Sequence, residues 1–345
     1  MQKGNIKSIM YAVMAAVFYA LNVPLSKMLL KHVGATTMAA LLYLGAGIGI
    51  SIMSIVHREH KQQEDHLTRK DLPFVIGMIV LDMIAPIFLM LGIRYGTSAN
   101  ASLLGNFEIV ATTLIALFIF KETVSLRLWA AISLITISSI LLSFEGAGSF
   151  RFSFGSLFVL LAALCWGFEN NCTRNISSKS TYEIVILKGI FSGLGSLVIA
   201  IILHEPFPKI LYIAEALLLG FVAYGLSIFF YVRAQNTLGA AKTSAYYAVA
   251  PFIGAFLSFL LLKEQLSFTY VIALIVMIMG TCLVVADTLI RNHTHEHQHT
   301  YTHTHDGYTH THTITHSHAH NHYFHGDKHN HHHTLEELEK GHEII

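Results

Sequence analysis

Charge is what this chain has least of. Only 12% of its 345 residues are Asp, Glu, Lys or Arg, against about 25% in a soluble domain, so the solvent it folds in is lipid. The formal net charge is +1. No basic face is available to hold phosphate backbones, which excludes nucleic acid as a partner. The three cysteines, Cys165, Cys172 and Cys282, lie in apolar stretches without a CxxC pair; they say nothing of a disulfide framework and read as small buried residues. The apolar region contains neither a His-Glu-x-x-His helix motif nor a Gly-Lys-Ser/Thr loop, so nothing in it suggests an enzyme or ATP-driven transport within the chain. Histidine is also scarce there, with five of 23 before residue 290.

Apolar runs are abundant. The chain is 53% hydrophobic, and a spanning helix needs about 20 mostly apolar residues. Ten spans are predicted, near 6–30, 36–56, 72–93, 98–120, 126–144, 154–173, 182–203, 212–235, 242–262 and 267–290. Lys and Arg in the connections favour one side by 13 to 6, from Lys3 and Lys7 through Arg58, Lys121 and Arg233 to Arg291. The positive-inside rule then puts both termini in the cytoplasm, with the chain multi-pass in the cell (plasma or inner) membrane. The bilayer is its first partner, a small-molecule substrate its second, and a homodimer stays open.

The halves resemble each other. FKETVS (Phe120 to Ser125) recurs as LKEQLS (Leu262 to Ser267), an offset of 142. AAVFYALNVPLSK (Ala15 to Lys27) aligns with AALCWGFENNCTR (Ala162 to Arg174) at 147, pairing Asn22 with Glu169 and Lys27 with Arg174. Gly47 and Gly49 match Gly193 and Gly195, small residues that let two helices pack closely. Each copy holds five spans, an odd number, so the second must enter the membrane upside down. The expected fold is all-α: ten transmembrane helices as two inverted repeats, 1–145 and 150–290, followed by a tail, 291–345. Such designs place the substrate near the midplane between the halves. The Lys-Glu steps read mainly as helix termination, with Ser125 and Ser267 as N-caps of the following spans.

Two five-span halves, each with an apolar-Lys-Glu-x-apolar-Ser step before its last helix, resemble the EamA family of the drug/metabolite transporter superfamily. The likeness runs roughly from Lys7 to Leu289 and includes GAAKTSAYYAVAPFIGAFLSFLLLKEQLS (Gly239 to Ser267). The family's proline is present as Pro251, while the first half has Ile109 there, beside Glu108. The resemblance implies export or exchange of small metabolites, amino acids or drugs, with no required cofactor.

Ionisable residues at membrane depth are functional candidates by default. Asp82 and Glu108 fall near the centres of their spans; Glu169, with Asn170 and Asn171 after it, lies in the sixth; Lys188 lies in the seventh. Asn22 and Pro24 interrupt the first, freeing a carbonyl. One reading places Asn22, Asp82, Glu108, Glu169, Asn170 and Lys188 on a polar cavity that binds a zwitterionic or amphiphilic solute or carries a coupling proton. The other makes them buried pairs, such as Glu169 with Lys188, that hold helices in register. Tyr224, Tyr246 and Tyr247 are either pocket walls or packing. Arg94, Arg174 and Arg233 read as snorkelling anchors, Trp129 as an anchor and Trp166 as core.

The tail is a different polymer. It alternates imidazole with Thr, Ser and Asn: His293, His295, His297, His299, His303, His305, His310, His312, His316, His318, His320 and His322. Neutral imidazole suits Zn, Ni and Co, and such tracts are compositional signals of metal binding. With little to bury, the tail is expected to stay unstructured without metal, apart from a short helix at Thr334 to Lys340 opened by a Thr334/Glu337 capping box. It reads as a cytoplasmic metal buffer or sensor on a solute transporter. The alternative makes a divalent metal ion the cargo.

Overall fold

A computed structural model describes residues 3–56, 66–120, 124–145, 151–176, 179–238, 243, 246–265, 267–289, 291–305 and 308–322. The chain divides into two units, Met1–Val285 and Ala286–Ile345. In the first, helices follow one another because a backbone in lipid must satisfy its own hydrogen bonds. They are α1 (Lys3–Ala20), α2 (Asn22–Leu29), α3 (Ala35–Val56), α4 (Leu72–Tyr95), α5 (Ser98–Leu104), α6 (Phe107–Phe120) and α7 (Leu126–Ser143). A two-residue ribbon, β1 (Phe144–Glu145) with β2 (Arg151–Phe152), joins these to α8 (Phe154–Ile176), α9 (Thr181–Ile202), α10 (Ile210–Gly220), α11 (Ser227–Leu238), α12 (Ala250–Leu262) and α13 (Phe268–Leu289).

Among the described residues, eight helical segments are long and apolar enough to cross a bilayer, where the sequence suggests ten. The two differences have a chemical cause. The sixth expected span is the 23-residue α8, whose C-terminal half is diluted by Glu169, Asn170, Asn171 and Thr173. The ninth appears as the apolar 13-residue α12. The Lys121 and Glu122 step lies outside the described residues.

Four spans are interrupted. The first turns at Leu21, between α1 and α2, one residue before Asn22. The fourth breaks at Gly105 and Asn106, between α5 and α6. Between α10 and α11 the eighth widens into a π-helical stretch, Phe221–Leu226, a form frequent at functional sites. A turn at Ala248 and Val249 precedes α12, at nearly the same place in the second half as the α5/α6 break holds in the first. In α4 the interior Pro86 removes the N–H that Asp82's carbonyl would have accepted.

The helices pair across the halves: α3 on α9, α4 on α8, α1 on α11 and α5 on α12. Exchanging the halves turns α4 on α8 into α11 on α1 and returns α3 on α9 to itself. Glycine makes the α3/α9 crossing possible, because a Cβ on Gly47 would sit 2.7 Å from the Ile190 backbone nitrogen. Ser138 on α7 donates to the Ala273 carbonyl on α13 at 2.6 Å.

Helix ends of one half are closed by side chains of the other. Glu264, just past α12, accepts from the Ser98 and Ala99 amides at the start of α5, both at 2.8 Å. Glu205, past α9, accepts from the Thr36 amide at 3.0 Å and from the Thr37 amide and hydroxyl at 2.8 and 2.7 Å. Lys27 donates to the carbonyls of Ile93 and Gly96 at 2.5 and 2.7 Å, closing the end of α4 within its own half. The expected caps are present: Ser125 accepts from the Leu128 amide and Ser267 from the Tyr270 amide, each at 3.0 Å. Lys263 ends α12 in the left-handed region, at φ 52°. The second Lys-Glu step thus terminates a helix with Lys263 and fastens the opposite half with Glu264.

Cys165 and Cys172 are half-buried, but Cys282 is exposed, contrary to its reading as a buried residue, because the apolar stretch around it faces outward from the bundle. Trp166 is buried and Trp129 is 41% exposed, as their core and anchor readings require.

Gly47→Ala is expected to cost about 1–3 kcal/mol by overpacking the crossing. Gly77→Ala, whose nearest obstacle is the movable Cys172 sulfur at 3.1 Å, should cost much less; thermal unfolding in detergent measures both. Burial pushes the Glu205 carboxyl up, but the hydrogen bonds from Thr37 and Thr36 outweigh it and hold the group below the ordinary glutamate range. Its stabilisation is therefore present above the unfolded-state value and lost as pH falls through the lower folded value. Glu205→Gln should flatten that acid limb in a melting-temperature profile against pH.

Candidate substrate and ion pathway

Lipid cannot solvate an isolated charge, so ionised groups at depth must find each other. Lys188 on α9 does so twice, with its ammonium 3.0 Å from Asp82 on α4 and 2.9 Å from Glu169 on α8. The Tyr43 hydroxyl on α3 donates to the other oxygen of Asp82 at 2.9 Å, and the Thr173 hydroxyl donates to Glu169. Asp82, Glu169 and Tyr43 are at most 3% exposed. First-half helices (α3, α4) and second-half helices (α8, α9) therefore supply one cluster together.

Two further groups flank it. The Asn22 amide, at the α1/α2 break, donates to the Tyr224 hydroxyl in the π-helical stretch at 3.1 Å, and the Ser26 hydroxyl donates to Asn22 at 3.0 Å. The Tyr224 ring lies 5.2 Å from that of Tyr43, joining this pair to the ionic cluster. Glu108 sits in the first turn of α6, where the positive end of the helix favours a carboxylate. Asn170 donates to it at 2.6 Å and to Thr112 at 3.3 Å. Tyr19 connects the aromatic groups, 5.8 Å from Tyr224 and 6.0 Å from Tyr247, and Tyr247 also packs on Tyr231 at 5.2 Å.

The structure thus brings Asp82, Glu169 and Lys188 into one ionic triad, Asn22 and Tyr224 into a pair touching it, and Glu108 and Asn170 into a second pair. Tyr247 belongs to the aromatic wall and Tyr246 is half-buried near it. Both readings of the carboxylates apply to the same atoms, because Glu169 with Lys188 is a register-holding pair and part of the network. Tyr43, Tyr19 and Thr173 were missed. Tyr43 left a usable signal, a lone hydroxyl-bearing ring in a run of small and aliphatic residues. Arg94 is exposed and Arg233 stacks on the Phe229 ring at 4.7 Å, as anchors do.

A line of unsatisfied groups approaches Glu108. Ser98, Ser102 and Asn106 are four residues apart and at most 5% exposed. Their Oγ, Oγ and Nδ2 atoms have no hydrogen-bond partner among the described residues. Spacing of four puts them on one helical face, from the α5 end capped by Glu264 to the break before α6. Each such buried atom costs about 1–3 kcal/mol if left dry, so this face is suited to water or a polar solute. The shallow groove lined by Gly45, Ile48, Ile52, Leu218 and Phe221 is apolar and faces outward, with Ile52 58% exposed. Among the residues of the bundle whose side chains are described, no three His, Cys, Asp or Glu gather as a metal site.

A two-half helical membrane bundle with charged groups held at depth between its halves defines a polytopic transporter. The model of the EamA-like transporter family matches residues 6–144 and 153–286, and the chain belongs to that family. Among relatives, a protein of Methanothermobacter thermautotrophicus (strain Delta H), named only as an uncharacterized transporter, is 27% identical over 287 residues, 77% of this chain and 82% of its own. Another so named, from Clostridium kluyveri, is 23% identical, covering 81% of this chain and 92% of its own. A solved crystal structure, titled simply as that of a protein, superposes with a TM-score of 0.60 at 16% identity, over 81% of this chain and 96% of that one; it shows the fold alone.

Lys188→Met leaves Asp82 and Glu169 facing each other without a cation. Breaking a buried pair this way costs about 3–5 kcal/mol, and the melting temperature should drop accordingly. Neutralising the carboxylates in the triple variant Lys188→Met, Asp82→Asn, Glu169→Gln should recover most of the loss.

Proposed function

We propose that the chain is a secondary active exporter of small organic metabolites, such as amino acids or drug-like solutes. It works by alternating access between two halves inserted in opposite senses, with both termini cytoplasmic. The observation that carries this reading is the charge count at depth: Asp82, Glu169 and Glu108 offer three carboxyl groups against the single ammonium of Lys188. With all of them ionised, the interior holds surplus negative charge. A proton or the amino group of a solute supplies what is missing.

The interruptions support movement. Breaks at Leu21 and at Gly105 and Asn106, the turn before Ala250 and the π-helical stretch lie beside the network and let short helical pieces tilt. Asn22, Tyr224 and Tyr247 present amide and aromatic surface to a solute. The Ser98, Ser102 and Asn106 face offers a wet approach to Glu108. When Lys188 leaves one carboxylate for the other, the released carboxylate takes the proton or the solute. That exchange couples occupancy to helix position.

Thermal-shift screening of the purified protein against amino acids, metabolites and divalent metals identifies a ligand, whose counterflow is then followed in proteoliposomes. Glu108→Gln should preserve insertion and stability but abolish flux or remove its pH dependence. Unchanged, equally pH-dependent flux takes Glu108 out of the mechanism. Stabilisation by divalent metals alone, kept after deletion of 291–345, would make metal the cargo instead.

A further inference from the structure

The second unit, Ala286–Ile345, contains two strands. Strands β3 (Arg291–His305) and β4 (Tyr308–His322) form an antiparallel hairpin with partners from Arg291 opposite His322 to His305 opposite Tyr308. The local cause is a period-2 sequence rich in β-branched Thr. Its two runs are separated by Asp306 and Gly307, a favoured pair for two-residue hairpin connections. The connection itself and the Thr334 to Lys340 segment lie outside the described residues.

Register gives the histidines a common side. In β3 they occupy odd positions, in β4 even positions, and every odd residue of β3 is partnered with an even residue of β4. Because successive residues of a strand alternate faces, all twelve fall on one face. The opposite face carries Thr294, Glu296, Gln298, Thr300, Thr311, Ser317 and their like. A slip of one residue would divide the set between the two faces. Histidine lies directly opposite histidine at 293/320, 295/318 and 297/316, three successive rungs, and again at 303/310. Between these blocks the rungs are His299 with Ile314 and Tyr301 with His312.

The geometry points to a divalent transition-metal site on this face at the 293–297/316–320 rungs, where histidine is opposite histidine on three successive rungs. Opposed Cβ atoms are about 4.5–5.5 Å apart, and rungs on one face repeat every ~6.7 Å. Two adjacent His–His rungs therefore bring four histidine positions together, the number of ligands that tetrahedral Zn or Co takes. The letters His-Glu-x-x-His do occur at His295 to His299, but a strand spaces those histidines ~13 Å apart, so they do not form the helical zinc pair. An isolated two-stranded ribbon is marginal in water. Metal held by both strands stabilises the register that creates the site. This inference is independent of what the bundle carries.

The test uses the full-length protein in detergent without an added polyhistidine tag, and three sequences of identical composition. In the first variant every β4 histidine trades places with the residue before it, moving six imidazoles to the other face. In the second, the β3 histidines are moved likewise. In the third, both strands are changed and all twelve share a face again. Zn affinity is read by competition with a chromogenic chelator, and coordination by the Co visible absorption. The single-strand variants should bind at least about tenfold more weakly, the scale of lost ligand geometry, and lose the intense tetrahedral Co bands; the double variant should regain both. Equal affinity across all sequences would mean that composition alone gathers metal, and failure of the double variant to recover would mean that register is irrelevant. Either result overturns the proposal, as does native protein binding no more Zn than protein lacking 291–345.

Discussion

The placement of Lys188 between Asp82 and Glu169 is the contact on which the rest of the bundle depends. Its three partners sit on α9, α4 and α8, so one ammonium determines how a second-half helix lies against a helix from each half. An ion pair in lipid has no water to fall back on, and its partners hold position more strictly than apolar packing would. The same contact sets the arithmetic of the interior. One cation serves two carboxylates, while Glu108 is left to the Asn170 amide.

Interruptions in the helices put polar groups within reach of that centre. Asn22 follows a turn, Glu108 begins a new helix, Tyr224 rides a widened turn, and Asp82 is four residues before a proline. At Asp82 the backbone gives up an internal hydrogen bond to Pro86, and at the other interruptions the bonding changes register, as Glu108 N–H to the Gly105 carbonyl does. Such departures at membrane depth are tolerated beside other polar groups. The broken backbone and the buried side chains are therefore one feature seen twice.

Much of this was legible beforehand. Long apolar runs announced the helices, and the buried Asp, Glu and Lys announced themselves by being costly. Ser125 and Ser267 were readable as caps because a cap is a local matter. Other features depend on distant residues. Glu264 reads as a helix end until Ser98 and Ala99 are brought beside it, and Tyr43 reads as packing until Asp82 faces it. The break at Gly105 and Asn106 was hidden in an apolar run of suitable length, so Glu108 looked central to a span when it opens a helix. In the tail, the alternation of histidine with Thr, Ser and Asn is legible in the sequence, while the pairing of His293 with His320 and of His295 with His318 needs the register of two strands.

The carboxylate of Glu264 on the first turn of α5 has a consequence for dissecting the chain. Residues 1–145 by themselves would leave the Ser98 and Ala99 amides without that acceptor. The first half does not carry everything its own helix ends require, and it is completed by the sequence of the second.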